Sequence, residues 1–341
     1  LGLAGCGILR EAMREAVDAC GTGSGSSRLI CGSLGAHHEL ERTIAELKGT
    51  QAALCFSSGY AAATGTLGAL LQKGDVVILD KLCHASLIDG ARLSGAALRI
   101  YPHNHLEKLE SHLLWAAQRI SGSGRTLVVT ESVFSMDGDR APLEGIVRLV
   151  EDHGAMLLVD EAHAFGILGP GGRGLAAELG IQHGIHLQMG TFSKAVGVSG
   201  GFVCADRALV RLLVNRARSF IYSTAPPPAV AATATAALRL IEGHEGERRR
   251  KQLWENIALL RQTLGETAAP AQSAILPWRV GGEDRALAAA ASLREEGLLV
   301  PAIRYPTVAR GSARLRIALS ANHDRAQIET LATALRKIGG S

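Results

Sequence analysis

The chain has 341 residues, 36 of them basic and 32 acidic, with a formal net charge of +4 and 47% hydrophobic content. That apolar fraction excludes a disordered chain, and forty glycines without a G-X-Y period exclude a collagen-like one. The densest basic run, Arg248, Arg249, Arg250 and Lys251, follows Glu245 and Glu247 and reads as a solvated helix face, so the charge offers no nucleic-acid footprint.

In chain order, a helix over 8–20 precedes the glycine loop Gly21–Ser27, which reads as a flexible connector. Apolar strand candidates follow at 52–56, 76–79, 97–101, 126–130, 155–159, 186–189 and 201–204. Helical periodicity fills the gaps at 59–71, 85–93, 106–120, 143–152 and 207–217, and Pro142 suits the first turn of the fourth of these. Strands separated by helices of this length predict βαβ units: an α/β fold with a mainly parallel central sheet and helices on both faces. The stretch Gln51–Gln72 has no charged residue and could span a bilayer by length, but Ser57-Ser58-Gly59 breaks it into strand, turn and helix, so no membrane partner is expected.

After Pro226 the pattern changes. Helices at 229–242 and 246–264 lead into a final region from about Ala268, ordered strand, helix (283–296), strand (298–303), strand (313–319), helix (324–338). The chain therefore divides into an N-terminal helix at 1–20, a large domain at 21–242 and a smaller α/β domain at 243–341. Six cysteines without a C-x-x-C pair or framework spacing read as reduced thiols of a cytoplasmic protein.

Several motifs have competing readings. The 21–27 loop follows a helix and fits neither phosphate-loop pattern. Gly197-Val-Ser-Gly-Gly201 matches G-x-S-x-G, which raises a serine hydrolase using Ser199, but the strand follows the serine instead of preceding it. Twelve histidines include no H-E-x-x-H, and no metal site is expected. More telling is Asp160-Glu-Ala-His163 at the carboxyl end of an apolar strand, with Thr191-Phe-Ser-Lys194 after the next strand. Carboxyl ends of parallel strands form the ligand crevice of such sheets. Pyridoxal 5'-phosphate needs a lysine for its aldehyde, an acid for its ring nitrogen and a helix N-terminus for its phosphate. Ser58-Gly59-Tyr60, opening a helix directly after a strand, supplies the third.

At these residues the chain resembles the α-oxoamine synthase family of fold-type I pyridoxal-phosphate enzymes. The matching stretches run from Ala36-His-His-Glu-Leu-Glu41 through Ser58-Gly-Tyr60, His84-Ala-Ser-Leu87 and Glu131–Asp139. They continue with Asp160–His163, Gly172-Arg-Gly174, Thr191–Lys194, Tyr222–Pro226, Ala302–Val308 and Ala313–Arg316. The resemblance implies that Lys194 binds the cofactor and moves the Cα proton, its pKa lowered by partial burial and a cationic neighbour. Asp160 would pair with the ring nitrogen, His84 stack on the ring, and His163 and Ser135 bond the phenolic oxygen. Ser58, Gly59, Tyr60 and Thr191 would serve the phosphate or ring edge, and Ser223 and Thr224 the phosphate of the other subunit of a homodimer whose site lies at the interface. Arg304 would clamp the amino-acid carboxylate, a bidentate role suited to arginine, and His37 would lie near the acyl substrate. Gly169–Gly174 reads as a turn that lets chain segments approach closely.

The resemblance also implies an N-terminal segment before Leu1 and a decarboxylating condensation of L-alanine with a pimeloyl thioester, carried on CoA or on a carrier protein. Sibling reactions with glycine or L-serine share the same core: Arg28-Leu-Ile-Cys-Gly32 leans toward the glycine-using ligases, whereas Ser273–Pro277 and Ala302–Val308 lean toward pimeloyl condensation. A non-catalytic partner subunit is the other reading, and Lys194, Asp160 and His163 argue against it.

Overall fold

Near-continuous apolar runs form strands that are buried on both faces. In the computed structural model, which describes residues 1–120, 122, 124–265 and 271–339, every residue of the second strand is buried. Seven strands make one sheet: β1 (Ala52–Phe56), β2 (Val76–Asp80), β3 (Ala97–Tyr101), β4 (Thr126–Glu131), β5 (Met156–Asp160), β6 (Leu187–Thr191) and β7 (Gly201–Ala205). Their order is β1-β7-β6-β5-β4-β2-β3. The steps from β6 through β5, β4 and β2 to β3 are parallel, and only β7 runs antiparallel to its neighbours β6 and β1. The sheet is therefore mainly parallel.

The helices of this unit are α1 (Gly7–Cys20), α2 (Gly35–Lys48), α3 (Gly59–Leu70), α4 (Ala85–Ser94), α5 (Leu106–Arg119), α6 (Leu143–Asp152), α7 (Leu175–Glu178), α8 (Arg207–Arg216), α9 (Arg218–Ile221) and α10 (Pro228–Glu242). Leu67 and Ala63 of α3 and Leu87 and Ala91 of α4 pack with Val77, Leu79 and Val129 of the sheet in one apolar core. The close packing depends on Gly90, where a Cβ would lie 2.9 Å from the Leu67 side chain and 3.0 Å from the Ala63 carbonyl.

Two local expectations change. The motif Ala36–Glu41 lies in a full helix, Gly35–Lys48, whose start is closed by His37. The glycine loop is not a loose connector: Ser24 Oγ donates to the Pro226 carbonyl (2.7 Å), Ala225 N–H donates to the Ser26 carbonyl (2.9 Å), and Ser27 forms a β-bridge with Thr224. The charge-free 51–72 stretch is β1, a turn and α3, and no helix among the described residues is long and apolar enough to cross a membrane.

A second unit consists of Leu1–Gly2, Val133–Arg140 and Glu247–Ser341. It holds most of α11 (His244–Leu264), then β8 (Ile275–Gly281), α12 (Glu283–Glu295), β9 (Ala302–Ile303), β10 (Ala313–Ala318) and α13 (Arg325–Ile338). The three strands form an antiparallel sheet ordered β8-β10-β9. Ala268, where the final region was expected to start, lies outside the described residues. The expected strand 298–303 shrinks to two residues, in keeping with Pro301, which has no N–H to give to a ladder. Val133–Arg140 joins this unit instead of the large domain that surrounds it in sequence. Arg314 forms a salt bridge with Asp137, Arg316 Nε donates to the Ser135 carbonyl (2.6 Å), and Arg140 donates to Gln272. The basic run on α11 is only partly solvated, because Arg250 is buried and bonded to Glu247 (2.9 Å).

Candidate active site

β4, β5 and β6 end side by side, and their carboxyl ends open a cleft in the large unit. Asp160, the last residue of β5, forms its floor, with Glu131 beside it, and Met189, Gly190 and Thr191 of β6 extend the lining. Seven residues expected at the site line this one cleft: Gly59, Tyr60, His84, Asp160, His163, Thr191 and Lys194.

Each is held for a local reason. Ser58 caps α3, its Oγ accepting from Ala61 N–H (3.1 Å), so its hydroxyl is already engaged. That leaves the N–H groups of Gly59 and Tyr60, in the first turn, as the helix donors that have no helix carbonyl to bond. The turn exists because Gly201 lacks a side chain: a Cβ there would lie 2.4 Å from the Ser58 carbonyl oxygen and 2.6 Å from Gly59 N. Tyr60 is exposed and donates its hydroxyl to Asp89 (2.9 Å). Thr191 Oγ1 donates to the Gly200 carbonyl (2.7 Å) and accepts from Ser193 N–H (3.1 Å), closing the β6–β7 turn that carries Lys194.

His84 does two jobs. Its Nδ1 accepts from Ser86 N–H (3.2 Å) and so caps α4, while the ring stays on the cleft. Nδ1 also lies 2.8 Å from Ser86 Oγ, so Ser86 meets this nitrogen with both its N–H and its hydroxyl. His84 N–H donates to Glu131 (2.5 Å).

Asp160 and Glu131 are register partners on adjacent parallel strands, and both are buried. Burial pushes the Asp160 carboxyl above its ordinary range, and Lys194, the N–H of Ala162 (2.9 Å) and His84 pull the other way. Glu131 is raised further, by burial and by the charge of Asp160. Lys194 itself is exposed in the single chain, so the partial burial expected of it is absent there.

The remaining expected residues are not among those that line the cleft. His37 serves the chain's own framework. Buried in α2, it accepts from Leu34 N–H at Nδ1 (3.1 Å) and donates from Nε2 to the Pro226 carbonyl (2.8 Å). That pair of bonds requires the neutral ring, in line with a pKa lowered by burial. His37 thus fixes the Tyr222–Pro226 stretch, where Thr224 is exposed and Ser223 half-buried. Ser135 and Arg304 belong to the second unit, Arg304 exposed directly after β9. Ser199 is exposed in the loop before β7, with no strand leading into it, so the hydrolase elbow is not built. Arg28 is buried and makes a bidentate bond to Glu41 (2.9 Å at both contacts), a structural anchor that says little about substrate. Sequence reasoning missed Glu131, Ser86 and Ser193 as lining residues; Glu131 had a signal in being the last residue of an apolar strand.

A model of the class I and II aminotransferases matches residues 1–335. The chain belongs to that family. It is 47% identical to the 8-amino-7-oxononanoate synthase of Geobacter sulfurreducens over 342 residues, covering 99% of this chain and 86% of that protein. It is also 47% identical to the enzyme of the same name from Anaeromyxobacter dehalogenans, with 99% and 84% covered. Among solved structures, serine palmitoyltransferase from S. paucimobilis superposes with a TM-score of 0.93 at 34% identity, covering 99% of this chain and 85% of that one. The 8-amino-7-oxononanoate synthase of Francisella tularensis superposes at 0.82 with 28% identity, covering 98% and 94%. The fold is fold-type I, and the cofactor of this enzyme is pyridoxal phosphate.

The cleft fits that group on its own chemistry. Two buried acids side by side, Asp160 and Glu131, favour a cation at the cleft, which a protonated pyridine nitrogen supplies. The helix donors at Gly59 and Tyr60 suit a phosphate, and Lys194 is the amine of the lining.

Proposed function

We propose that the chain catalyses the decarboxylating condensation of L-alanine with a pimeloyl thioester, on CoA or a carrier protein, giving 8-amino-7-oxononanoate, CO2 and free thiol. The reading rests above all on the near-full-length match to 8-amino-7-oxononanoate synthases at 47% identity. When bound, pyridoxal phosphate supplies an electron-withdrawing ring that acidifies the Cα–H of the amino acid.

The chain's own residues do the rest. Asp160 keeps a proton on the ring nitrogen, and its burial makes that pairing strong because little water competes. Lys194 would hold the cofactor through its aldehyde, and its Nζ is the group that would take and return the Cα proton. His84 would cover the ring face, and His163 and Ser135 would bond the phenolic oxygen. The N–H groups of Gly59 and Tyr60 would receive the phosphate at the α3 N-terminus, which Ser58 caps, and Thr191 would serve the phosphate or the ring edge. Arg304 holds the substrate carboxylate with its planar fork.

The working form is a cytoplasmic homodimer in which Ser223 and Thr224 reach the partner subunit's phosphate. Ile30 (79% exposed) and Tyr222 (73% exposed) support this, because large apolar side chains so open to water suit a face covered by a second copy.

A second reading, an L-serine-using condensation, draws on the superposition with serine palmitoyltransferase. The higher identity to the 8-amino-7-oxononanoate synthases, 47% against 34%, outweighs it.

Borohydride treatment of the purified protein tests the site. We expect it to remove a visible absorption band and fix the cofactor on the peptide containing Lys194, and Lys194→Ala to abolish both; fixation on another lysine would overturn the assignment.

A further inference from the structure

Glu161 sits between Asp160 and Ala162, next to the cleft but pointing away from it, and it is fully buried. Its partner is Lys48, the last residue of α2, also buried, which forms a salt bridge with Glu161 Oε2 and donates to the Arg173 carbonyl (2.5 Å). The other carboxylate oxygen, Oε1, accepts from Ala176 N–H (3.0 Å) at the start of α7. The Glu161 backbone carbonyl accepts from Ala164 N–H (3.0 Å) and Phe165 N–H (2.8 Å), and its own N–H donates to Met189 of β6 (2.8 Å). Gly174 makes room for the arrangement: a Cβ there would fall 2.3 Å from the Glu161 carboxylate. The ammonium also lies 5.7 Å from the centre of the Phe165 ring.

The backbone of Glu161 thus joins β6 to the 161–168 turn, while its carboxylate, through Lys48 and Ala176 N–H, ties that turn to the 169–174 glycine loop, α7 and the end of α2. Burying two charges is costly, and a well-packed apolar pair of similar volume is often at least as stable. A buried pair at this place therefore calls for a purpose other than stability, and its neighbours in the chain are Asp160 and His163.

We infer that the Lys48–Glu161 pair is a positioning device: it fixes the turn that presents Asp160 and His163 to the cofactor ring, and so sets how tightly the ring is held. Neither residue lines the cleft, so both act through that turn. The inference rests on the pyridoxal-phosphate reading of the cleft.

The test compares wild type with Lys48→Met/Glu161→Leu, which removes both charges at similar volume. Three measurements are made: melting of the apoprotein, amide exchange over 161–165 in the apoprotein, and titration of the apoprotein with pyridoxal phosphate followed by its visible absorption and circular dichroism. The expected result is an apoprotein that melts at or above the wild-type temperature, exchanges faster over 161–165, and binds pyridoxal phosphate at least about tenfold more weakly with an altered dichroism band. Unchanged exchange, affinity and dichroism in a folded double variant would show a purely structural pair and overturn the inference. If that variant does not fold, Lys48→Met/Glu161→Gln, which keeps an acceptor for Ala176 N–H, is expected to show the same changes. If neither folds, the pair is a requirement for folding, and the inference is rejected. Wild-type protein that binds no pyridoxal phosphate would instead refute the cofactor reading, and the exchange measurement would still decide whether the pair holds the turn.

Discussion

Glu131 and Asp160 face each other at the ends of neighbouring strands, and each is held above its ordinary carboxylate range by burial. The folded Glu131 therefore keeps a proton that the unfolded chain releases. Stability must fall as pH rises from the ordinary carboxylate value through the folded one, because the unfolded state binds fewer protons across that window. Below the ordinary value both states are protonated and the penalty vanishes. Glu131→Gln keeps an oxygen for His84 N–H and removes the ionisable group. Its apoprotein is expected to melt higher than wild type at about pH 8 and to lose that advantage near pH 4. Melting curves at the two pH values check this, and an equal difference at both would contradict it. Asp160, His163 and Lys194 were legible in the sequence because a charged residue after an apolar strand in an α/β pattern falls at the crevice. Glu131 carried the same signal at the end of an apolar strand but was not singled out, and it is the β4–β5 register that places it beside Asp160. His37 was misleading for a related reason: a histidine in a matching motif looks like a ligand until both its nitrogens are found bonded within the chain.

At the level of elements, the phosphate-facing end of α3 depends on how closely β7 approaches it. Gly201→Ala would push a methyl group into the Ser58 carbonyl and Gly59 N, backbone atoms that cannot swing aside. A loss of about 1–3 kcal/mol of stability is expected, the usual cost of overpacking, together with weaker pyridoxal-phosphate binding. Gly68→Ala is the control on the same helix. Nothing lies within 4 Å of a Cβ there, so it should be neutral or stabilise by up to about 1 kcal/mol without changing cofactor affinity. Denaturant unfolding and cofactor titration of both variants separate the two outcomes. The strands of the large sheet were legible because burial on both faces makes their sequences almost wholly apolar, as in Val76–Asp80. α2 was not, because Gly35–Lys48 opens without a Ser, Thr, Asp or Asn cap and is dense in charge; His37 supplies the cap instead. The expected strand at 298–303 was overextended because an apolar run alone does not show that the ladder begins only after Pro301.

For the whole molecule, alternation of strands and helices was enough to fix the class of fold, but the division of the chain into units depends on pairings distant in sequence. Val133–Arg140 travels with the C-terminal unit through Arg314–Asp137 and Arg316–Ser135, which no linear reading could place. The same holds for the glycine loop, whose bonds to Ala225 and Pro226 anchor the segment carrying Ser223 and Thr224. What the molecule does with its cleft is decided by its substrates. The most direct measurement is a comparison of kcat/KM for L-alanine, glycine and L-serine, each with pimeloyl-CoA and with palmitoyl-CoA, following thiol release, CO2 and the condensed product. We expect L-alanine with pimeloyl-CoA to be preferred, with 8-amino-7-oxononanoate and CO2 formed in equal amounts; a preference for L-serine with palmitoyl-CoA, or for glycine, would contradict the proposed function.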